Sequence, residues 1–433
     1  QTLAYTGVTL QLAETSALNG QLAEDSQMLG EAMVIAASAS KFSAQKMGSA
    51  TNISSKDIIS VPTVSRSISD VTRLSPYGGN GMSFAGADGR TANFTVDGAN
   101  FNNNFGLSSS LPGGGNPISI DAIEEMQVVI SPYDVRQTNF IGGGVNAITK
   151  SGTNQLKGSA YVYHRNENLR GDTVDGEMIS GARQKDRNTN YGFTLGGPLV
   201  KNKLFFFVNG EYTQTPSTAI RWRASENGVG NSDQYLSYCT IGDMQRVSDF
   251  VKEKYGYNTG SWTDFPADQN NYKVLARLDW NIHKNHKLSL RYNTTNKKRP
   301  SNPSTSTSGL ADRYWLSGNR TNMSAIYYQN ARYFQEQNYH SFSGELNSSF
   351  ADGAVNNLFR VAYSHQDEPR STEGGSLPFV DIGVEGKYYT SFGTELFSYG
   401  NLRDVRTLTV TDELTWSKGI NLFTFGLQYE HNQ

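Results

Sequence analysis

Apolar and polar side chains alternate along most of the chain beyond about residue 155, as residues 161–164, 204–212 and 423–430 illustrate. A period of two is the pattern of a β-strand whose two faces meet different surroundings. Before residue 155 the chain is rich in Gly and Asn and its periodicity is mixed. The pattern therefore predicts a compact α+β domain followed by a long series of amphipathic strands.

The alternation predicts about ten strands in this second part. Short turns are expected at 198–202, 284–285 and 351–353, long loops at 214–270 and 296–322, and a loop helix at 242–255. Alternating short turns and long loops are typical of outer-membrane barrels. The predicted strands lie near 156–164, 189–197, 203–213, 271–281, 286–295, 323–334, 338–348, 356–365, 405–416 and 421–431.

The first part contains signals for both helices and strands, with glycine-rich turns between them. Capping residues, turn residues and apolar runs place these elements. The predictions are a helix over 67–74 capped by Ser65 or Ser67, a strand over 91–98 ending in an Asp-Gly turn, a short helix over 118–125, a strand over 126–130, and a strand within the glycine-flanked stretch 142–152.

Composition narrows the function classes. The 433 residues carry 38 Lys and Arg against 40 Asp and Glu, and this near-neutral balance argues against a nucleic-acid-binding protein. The single cysteine, Cys239, excludes a disulfide framework and a cysteine metal cluster. No apolar run approaches the roughly 18–20 residues of a membrane helix, but barrel strands need only about 9–11 residues each.

Three local patterns suggest chemistry but favour structural roles. Gly142-Gly143-Gly144 precedes Lys150-Ser151, yet Thr149 stands where a phosphate loop requires Gly, so we interpret the glycines as sites of close packing between a plug and a barrel wall. Glu124-Glu125 is interpreted as a solvated helix end rather than an acid–base pair. His283 and His286 are interpreted as a polar hairpin tip, because a metal site needs three or four convergent ligands. No catalytic constellation, metal site or cofactor is predicted.

Two segments leave a structural and a functional interpretation open. Residues 29–37 form a short apolar extended stretch, which is either a linker strand or a strand that pairs with another protein by β-augmentation. The segment after Asp97-Gly98 is either a polar loop or a ligand-facing apex in which amides and aromatic rings grip a polar ligand. Its residues are Asn100, Phe101, Asn102, Asn103, Asn104 and Phe105.

Several motifs together resemble the TonB-dependent outer-membrane transporters of Bacteroidetes, specifically their Oar-like branch. Residues 117–152 (PISIDAIEEMQVVISPYDVRQTNFIGGGVNAITKSG) resemble the second half of that family's plug domain, and residues 67–74 with 95–98 resemble its first half. Residues 196–199 leading into 203–207 are similar to an early barrel hairpin, and residues 1–28 look like the end of a carboxypeptidase-regulatory-like β domain.

The resemblance implies an α+β plug domain over 38–154, with Asp97, Gly98 and Gly142 to Gly144 as its structural motif, followed by a transmembrane antiparallel β-barrel from residue 155. It implies ligand import across the bacterial outer membrane, driven by the TonB complex and gated by the plug. Expected partners are outer-membrane lipid, a glycan, peptide or metal chelate as ligand, and a possible surface lipoprotein. The candidate TonB-contact residues are Glu31, Ala32, Met33, Val34, Ile35 and Ala36.

The resemblance also implies a 22-stranded barrel, whereas residues 155–433 hold about ten strands. Ten strands do not close around a plug of this size, and open edges in hydrocarbon leave backbone groups unpaired. We therefore expect the barrel to be incomplete in this chain, with one edge of the last strand, 421–431, open.

Two other functions remain alternatives. The strands could anchor a surface adhesion or assembly protein that uses the long loops, or the chain could be a soluble β-rich carbohydrate-active enzyme. Energy-dependent uptake distinguishes transport from adhesion, and a detergent requirement distinguishes both from the soluble enzyme.

Overall fold

The computed structural model describes residues 50–61, 63, 66–103, 111–130, 135–137, 139–169, 171–178, 187–217, 222–304, 316–396 and 400–433. Contacts along the chain divide it into two units: Gln1–Leu111 with Ser119–Ser151, and Pro112–Ile118 with Gly152–Gln433. Residues 1–28 and 29–37, including the candidate TonB-contact residues, lie outside the described residues. The domain boundaries drawn from the sequence stay predictions.

The first unit is built on a five-stranded mixed sheet. Its elements are β1 (Ala50–Ser54), α1 (Ser55–Ser60), α2 (Ile68–Thr72), β2 (Asn93–Val96), β3 (Ala99–Asn100), β4 (Ile123–Val129) and β5 (Gly144–Thr149). The strands lie in the order β1-β4-β5-β2-β3, and β2 and β5 run parallel. The core is apolar and includes the fully buried Phe94, Met126 and Val145.

The predicted Asp-Gly turn is confirmed between β2 and β3. Asp97 and Gly98 both have positive φ, 46° and 74°, as a two-residue hairpin turn requires. The Asp97 carboxylate also accepts hydrogen bonds from the backbone N–H of Thr149 (2.9 Å) and from its hydroxyl (2.7 Å). One aspartate therefore shapes the turn and, through Thr149, fixes the end of β5.

The helix predicted over 67–74 is confirmed as α2, with Ser67 as its N-cap in a capping box with Asp70. The helix predicted over 118–125 is wrong. Only Ile120–Ala122 forms a single 3-10 turn, and β4 begins at Ile123. β4 pairs with β1 on one side and β5 on the other, and these ladders override the local helical signal. Glu124 and Glu125 therefore lie on a strand, at a register shift in the ladder between β4 and β5, and not at a helix end.

The three consecutive glycines allow tight packing inside the first unit. A Cβ on Gly143 would lie 2.8 Å from the Phe84 ring, and one on Gly144 would lie 3.0 Å from the Phe140 ring. Ala87 excludes a Cβ on Gly142 in the same way. We expected a barrel wall to impose this restriction, but the crowding atoms belong to the same unit.

The second unit consists mainly of long antiparallel strands. In chain order it contains β6 (Lys157–Arg165), β7 (Thr173–Val174), β8 (Glu177–Met178), β9 (Asn188–Val200), β10 (Leu204–Thr215), β11 (Arg223–Ser225), β12 (Leu236–Thr240), α3 (Ile241–Tyr255), β13 (Gln269–His283), β14 (His286–Ser301), β15 (Ile326–Tyr327), β16 (Tyr333–Phe350), β17 (Val355–Ser371), β18 (Val380–Val384), β19 (Lys387–Phe392), β20 (Leu402–Lys418) and β21 (Asn421–Asn432).

Nine of these strands form one sheet in the order β21-β20-β17-β16-β14-β13-β10-β9-β6. Short turns alternate with the long connections 216–268, 302–332 and 372–401, as predicted. The predicted helix over 242–255 is confirmed as α3. In the described part of the chain β21 pairs with β20 alone, which confirms the prediction of an open edge on the last strand.

The strand predicted over 323–334 is wrong. This stretch contains only the two-residue β15, a 3-10 turn at Gln329–Ala331 and the beginning of β16. Ile326, Tyr327 and Tyr328 are all fully buried. Consecutive residues therefore pack into one core instead of alternating between two faces.

The nine-stranded sheet has one apolar and one polar face. Cross-strand register places the apolar residues side by side, so the alternation seen in each strand becomes a continuous surface. One row across this apolar face consists of Phe206, Leu278, Leu290, Gly344, Val361, Val410 and Tyr429. One row across the polar face consists of Glu211, Lys273, Thr295, Tyr339 and Gln366.

Aromatic side chains mark two levels of the apolar face. Tyr191, Tyr212 and Tyr272 lie side by side towards the long connections, and we call them the tyrosine row. Trp280 pairs with Leu204 near the short turns. Eight residues separate Tyr272 from Trp280, about 26 Å along a strand at ~3.3 Å per residue. For strands tilted by about 40°, this corresponds to about 20 Å of the apolar band, which is about 25 Å tall in outer-membrane barrels.

Replacing Gly143 by Ala should destabilise the first unit by about 1–3 kcal/mol, because the new methyl group overlaps the buried Phe84 ring. Urea-dependent proteolysis of the purified chain measures this, with fragments from residues 50–151 followed separately from the rest. The matched control is Gly242→Ala in α3, where the nearest atom to a new Cβ is 4.0 Å away. Equal resistance of the Gly143→Ala and wild-type chains would contradict the packing argument.

Candidate functional site

Part of the predicted ligand-facing segment, residues 100–105, packs into the first unit and forms hydrogen bonds within it. Phe101 is fully buried and packs edge-to-face on Phe94, with ring centroids 6.1 Å apart. The Asn102 side chain accepts from the Phe94 N–H (2.6 Å) and donates to the Asn93 side chain (2.7 Å). The Asn100 side chain accepts from the Asn102 N–H (2.7 Å).

Through these contacts, Phe101 and Asn102 stabilise the fold of the first unit. Asn103 is half-buried. Asn104 and Phe105 lie outside the described residues, and the ligand-binding role of Asn100 to Phe105 stays a prediction.

The polar face of the nine-stranded sheet carries charged pairs. Lys273 donates to Glu211 at 2.8 Å, with both side chains only 4% exposed, and the Tyr161 hydroxyl donates to the same carboxylate (3.1 Å). The attraction between the two charges and the tyrosine hydrogen bond offset the free energy that both groups lose on leaving water. Other ion pairs on this face are Arg277–Asp279, Arg360–Glu345 and Arg403–Glu368.

A short glycine-rich segment of the second unit, Pro112–Ile118, lies against the polar face of β14. The Pro117 carbonyl accepts hydrogen bonds from the Thr295 hydroxyl (2.7 Å) and the Asn293 amide (3.1 Å). Gly113, Gly114 and Gly115 all have positive φ, and a Cβ on Gly114 would lie 2.8 Å from the Gln337 side chain. Glycine is therefore required here by both backbone conformation and space. We call residues 112–118 the glycine segment.

The long connections fold together into a packed body, which we call the loop module. It consists of β11, β12, α3, β15, β18 and β19, and its core draws on all three of the connections 216–268, 302–332 and 372–401. The sequence predicted only its helix. Its buried core residues are Cys239, Met244, Val251, Tyr257, Phe265, Ile326, Tyr327, Tyr328, Ala331 and Phe392.

Aromatic contacts and buried polar groups hold the loop module together. Tyr328 packs edge-to-face on Trp262 and Phe392 at 5.9 and 6.2 Å, and its hydroxyl donates to the Met244 carbonyl (2.6 Å). Arg320 is 3% exposed and donates to both oxygens of Asp381, at 2.8 Å each. Since Arg320 and Asp381 come from different connections, this bidentate pair ties two long loops together.

A polar network fixes the beginning of α3. The Thr240 side chain caps the helix by accepting from the Asp243 N–H (3.0 Å). The Tyr389 hydroxyl donates to the Asp243 carboxylate (2.6 Å) and accepts from the Thr240 N–H (3.0 Å). Hydrogen bonds from Tyr389 and Thr240, together with Arg246, hold the pKa of Asp243 below its usual value. Burial and the bond to Asp243 raise the pKa of Tyr389 to about 12, so it stays protonated and donates.

The described residues offer no other obvious chemistry. No group of three or more His, Cys, Asp or Glu side chains among them could hold a metal ion. His283 and His286 face each other across the β13–β14 turn, which confirms the hairpin-tip interpretation. Burial raises the pKa of the Cys239 thiol, which donates to the Tyr389 carbonyl (2.9 Å). In the part of the chain that the structure describes, no helix is long and apolar enough to cross a membrane.

Acid should weaken the loop module through Asp243. Because the folded state lowers the pKa of this carboxyl, its stabilisation is complete above the unfolded value of about 3.9 and is lost as the pH falls through the lower folded value. Asp243→Asn should remove this acid dependence and cost about 1 kcal/mol at neutral pH, allowing for solvent screening. Fluorescence of Trp222 and Trp262, which pack against the module core, reports its unfolding.

The matched control for this experiment is Asp249→Asn on the same helix, where the carboxylate accepts from Gln245. We expect this variant to keep the wild-type response to acid. An Asp243→Asn protein with unchanged acid sensitivity would show that the α3 network does not govern the stability of the module.

Comparison with known proteins finds a family that matches most of the second unit. A family model described as "Outer membrane beta barrel domain" matches residues 148–224 and 248–433. Over 240 residues the chain is 26% identical to the TonB-dependent transporter Oar of Myxococcus xanthus, covering 53% of this chain and 21% of that protein. It is 25% identical over 216 residues to a probable TonB-dependent siderophore receptor, PirA of Acinetobacter baumannii, covering 43% of this chain and 27% of that protein.

Solved structures share the fold. The crystal structure of the siderophore receptor PirA from Acinetobacter baumannii superimposes with a TM-score of 0.53 at 17% identity, covering 88% of this chain and 48% of that chain. A mutant of the ferric enterobactin receptor PfeA of Pseudomonas aeruginosa gives 0.52 at 15% identity over 90% of this chain and 49% of that chain.

The chain spans about a quarter of the length of the curated relatives it matches and about half the length of these solved chains. Those relatives are transporters and receptors rather than enzymes. The family match covers more than half of this chain and agrees with its two-faced antiparallel sheet. The chain therefore belongs to the outer-membrane β-barrel domain family and is a protein of the bacterial outer membrane.

Proposed function

We propose that this protein imports a ligand across the outer membrane by TonB-dependent active transport, with residues 38–154 acting as a plug that gates the barrel. The observation that carries the proposal is the combination, in one chain, of a compact glycine-rich α+β unit and an amphipathic antiparallel sheet. Similarity to Oar and to PirA supports the same function, since both are described as TonB-dependent. Transport of this kind requires no covalent chemistry by the protein.

Coupling to the TonB complex is assigned to Glu31, Ala32, Met33, Val34, Ile35 and Ala36. An extended segment can pair with a strand of another protein through several parallel backbone hydrogen bonds, and such pairing resists a pulling force. A pull on this segment would shift the plug and open a path for the ligand. The residues precede the described part of the chain, so the proposal rests on their sequence and position.

The finer assignment is to the Oar-like branch of the Bacteroidetes transporters. The motifs in 67–74, 95–98 and 117–152 support it. The ligand is a glycan, a peptide or a metal chelate, and a surface lipoprotein is a possible partner. The segment from Asn100 to Phe105 remains the proposed apex for the ligand, and within it Phe101 is buried and supports the fold.

The loop module favours a second candidate function, in which the barrel anchors a surface adhesion or assembly protein. A packed core with buried Arg320 and Tyr328 gives the long connections a defined surface, which recognition of another protein or cell surface would use. Adhesion requires no energy from the inner membrane, whereas import does.

Replacing residues 29–37 by a flexible Gly-Ser stretch of equal length should abolish uptake while leaving ligand binding to whole cells intact, because the docking strand is lost and the binding surfaces are not. Growth on candidate nutrients, in cells whose chromosomal gene is deleted and supplied in trans, identifies the ligand and measures uptake. Wild-type uptake by this variant would exclude residues 29–37 as the coupling segment.

The matched control is the same replacement over residues 17–25, which belong to the predicted preceding domain. We expect this control to import at the wild-type rate. Function that persists unchanged in cells without TonB would favour adhesion over transport.

A further inference from the structure

Lys297 and Arg299 form an unbalanced positive group on the polar face of β14. They are two residues apart, so they point to the same side of the strand. Lys273, on the neighbouring β13, is a further positive neighbour of Lys297. Within the described residues neither Lys297 nor Arg299 has an acidic partner, and Arg299 donates instead to the neutral Gln335 side chain (2.8 Å).

The acidic residues on this face are already paired. From β10 to β17 they are Glu211, Asp279, Glu345 and Glu368, and each forms an ion pair with another basic residue. The glycine segment, which reaches Lys297 through Gly114, contains no charged side chain. Among the residues that the structure describes, positive charge therefore remains in excess around Lys297 after these pairs are counted.

The position of this group suits a ligand that enters from the side of the long connections. Asn296, the neighbour of Lys297, pairs with Tyr272 of the tyrosine row, so Lys297 and Arg299 lie just beyond that row and towards the long connections. Close positive charges repel one another, and a bound anion relieves this repulsion. Gln335 and Gln337 lie opposite Arg299 and Lys297 on β16 and add amide groups that can donate to anionic oxygens.

We propose that Lys297 and Arg299, with Gln335 and Gln337 beside them, bind the anionic oxygens of the imported ligand, which therefore carries carboxylate or phosphate groups. This inference rests on the import function proposed above and narrows the ligand to an anionic one. Lys273 stays paired with Glu211, so the site itself depends on Lys297 and Arg299. The Arg299 guanidinium offers a forked donor and Lys297 a compact charge, a combination suited to multivalent anions.

Equilibrium binding of citrate and of inorganic phosphate to the purified full chain in detergent tests the proposal. The double variant Lys297→Gln/Arg299→Gln should weaken binding of the preferred probe at least about tenfold, since it removes two charge-assisted contacts. Raising the salt concentration should weaken wild-type binding and have little effect on the double variant. Stronger binding of citrate or of phosphate distinguishes a carboxylate site from a phosphate site.

The matched control is Lys298→Gln, which removes the same charge from the same strand but on the opposite face, where Lys298 pairs with Glu336 (3.6 Å). We expect it to bind the probes within about twofold of the wild type. Unchanged heat-modifiable migration verifies that each variant is folded. The proposal is overturned if the wild type binds neither probe, if the double variant binds as well as the wild type, or if Lys298→Gln weakens binding equally. Binding requires no energy source, so this outcome is independent of the uptake experiment.

Discussion

Hydrocarbon cannot hydrogen-bond to a peptide group, and this constraint governs the nine-stranded sheet. A strand in a membrane must pair its backbone with neighbouring strands, because each unpaired group costs several kcal/mol. The observed order β21 to β6 satisfies this constraint for the strands inside the sheet, each of which pairs on both sides, while the end strands β21 and β6 each pair on one side in the described residues. Register then aligns Leu278, Leu290 and Val361 on one face and Lys273 and Thr295 on the other.

The connections opposite the short turns obey a different rule. They are long enough to bury their own apolar surface, and they do so around Met244, Tyr328 and Phe392. Arg320 and Asp381 then fix two of these connections to each other. Connections that pack in this way lose the conformational freedom of ordinary loops, so they present a defined surface. Both import and adhesion can use such a surface, and only the dependence on TonB separates these functions.

Most charged side chains described on the polar face form ion pairs, whereas Lys297 and Arg299 have no acidic partner among the described residues. This difference is the basis of the proposed ligand site. Buried charges such as Glu211 and Lys273 are tolerated on this face because each has a partner. Lys297 and Arg299 depart from that pattern at the level where the sheet meets the long connections. Local departures from otherwise consistent structural rules are typical of functional sites. The proposed anionic ligand therefore rests on this charge distribution and not on the asparagine-rich segment, in which Phe101 and Asn102 stabilise the fold.

Sequence alone determined the period-two strands, the short turns, helix α3 and the capped α2, because alternation, capping and turn chemistry are local properties. Only the tertiary structure decided that Ile123 to Val129 is a strand, since ladders with β1 and β5 overrode the helical signal. It likewise decided that Tyr327 and Tyr328 enter one core, that Phe84 rather than a wall requires Gly143, and that Lys297 has no acidic partner among the described residues. Each of these depends on contacts between residues far apart in sequence, and no local pattern records which distant side chains will meet.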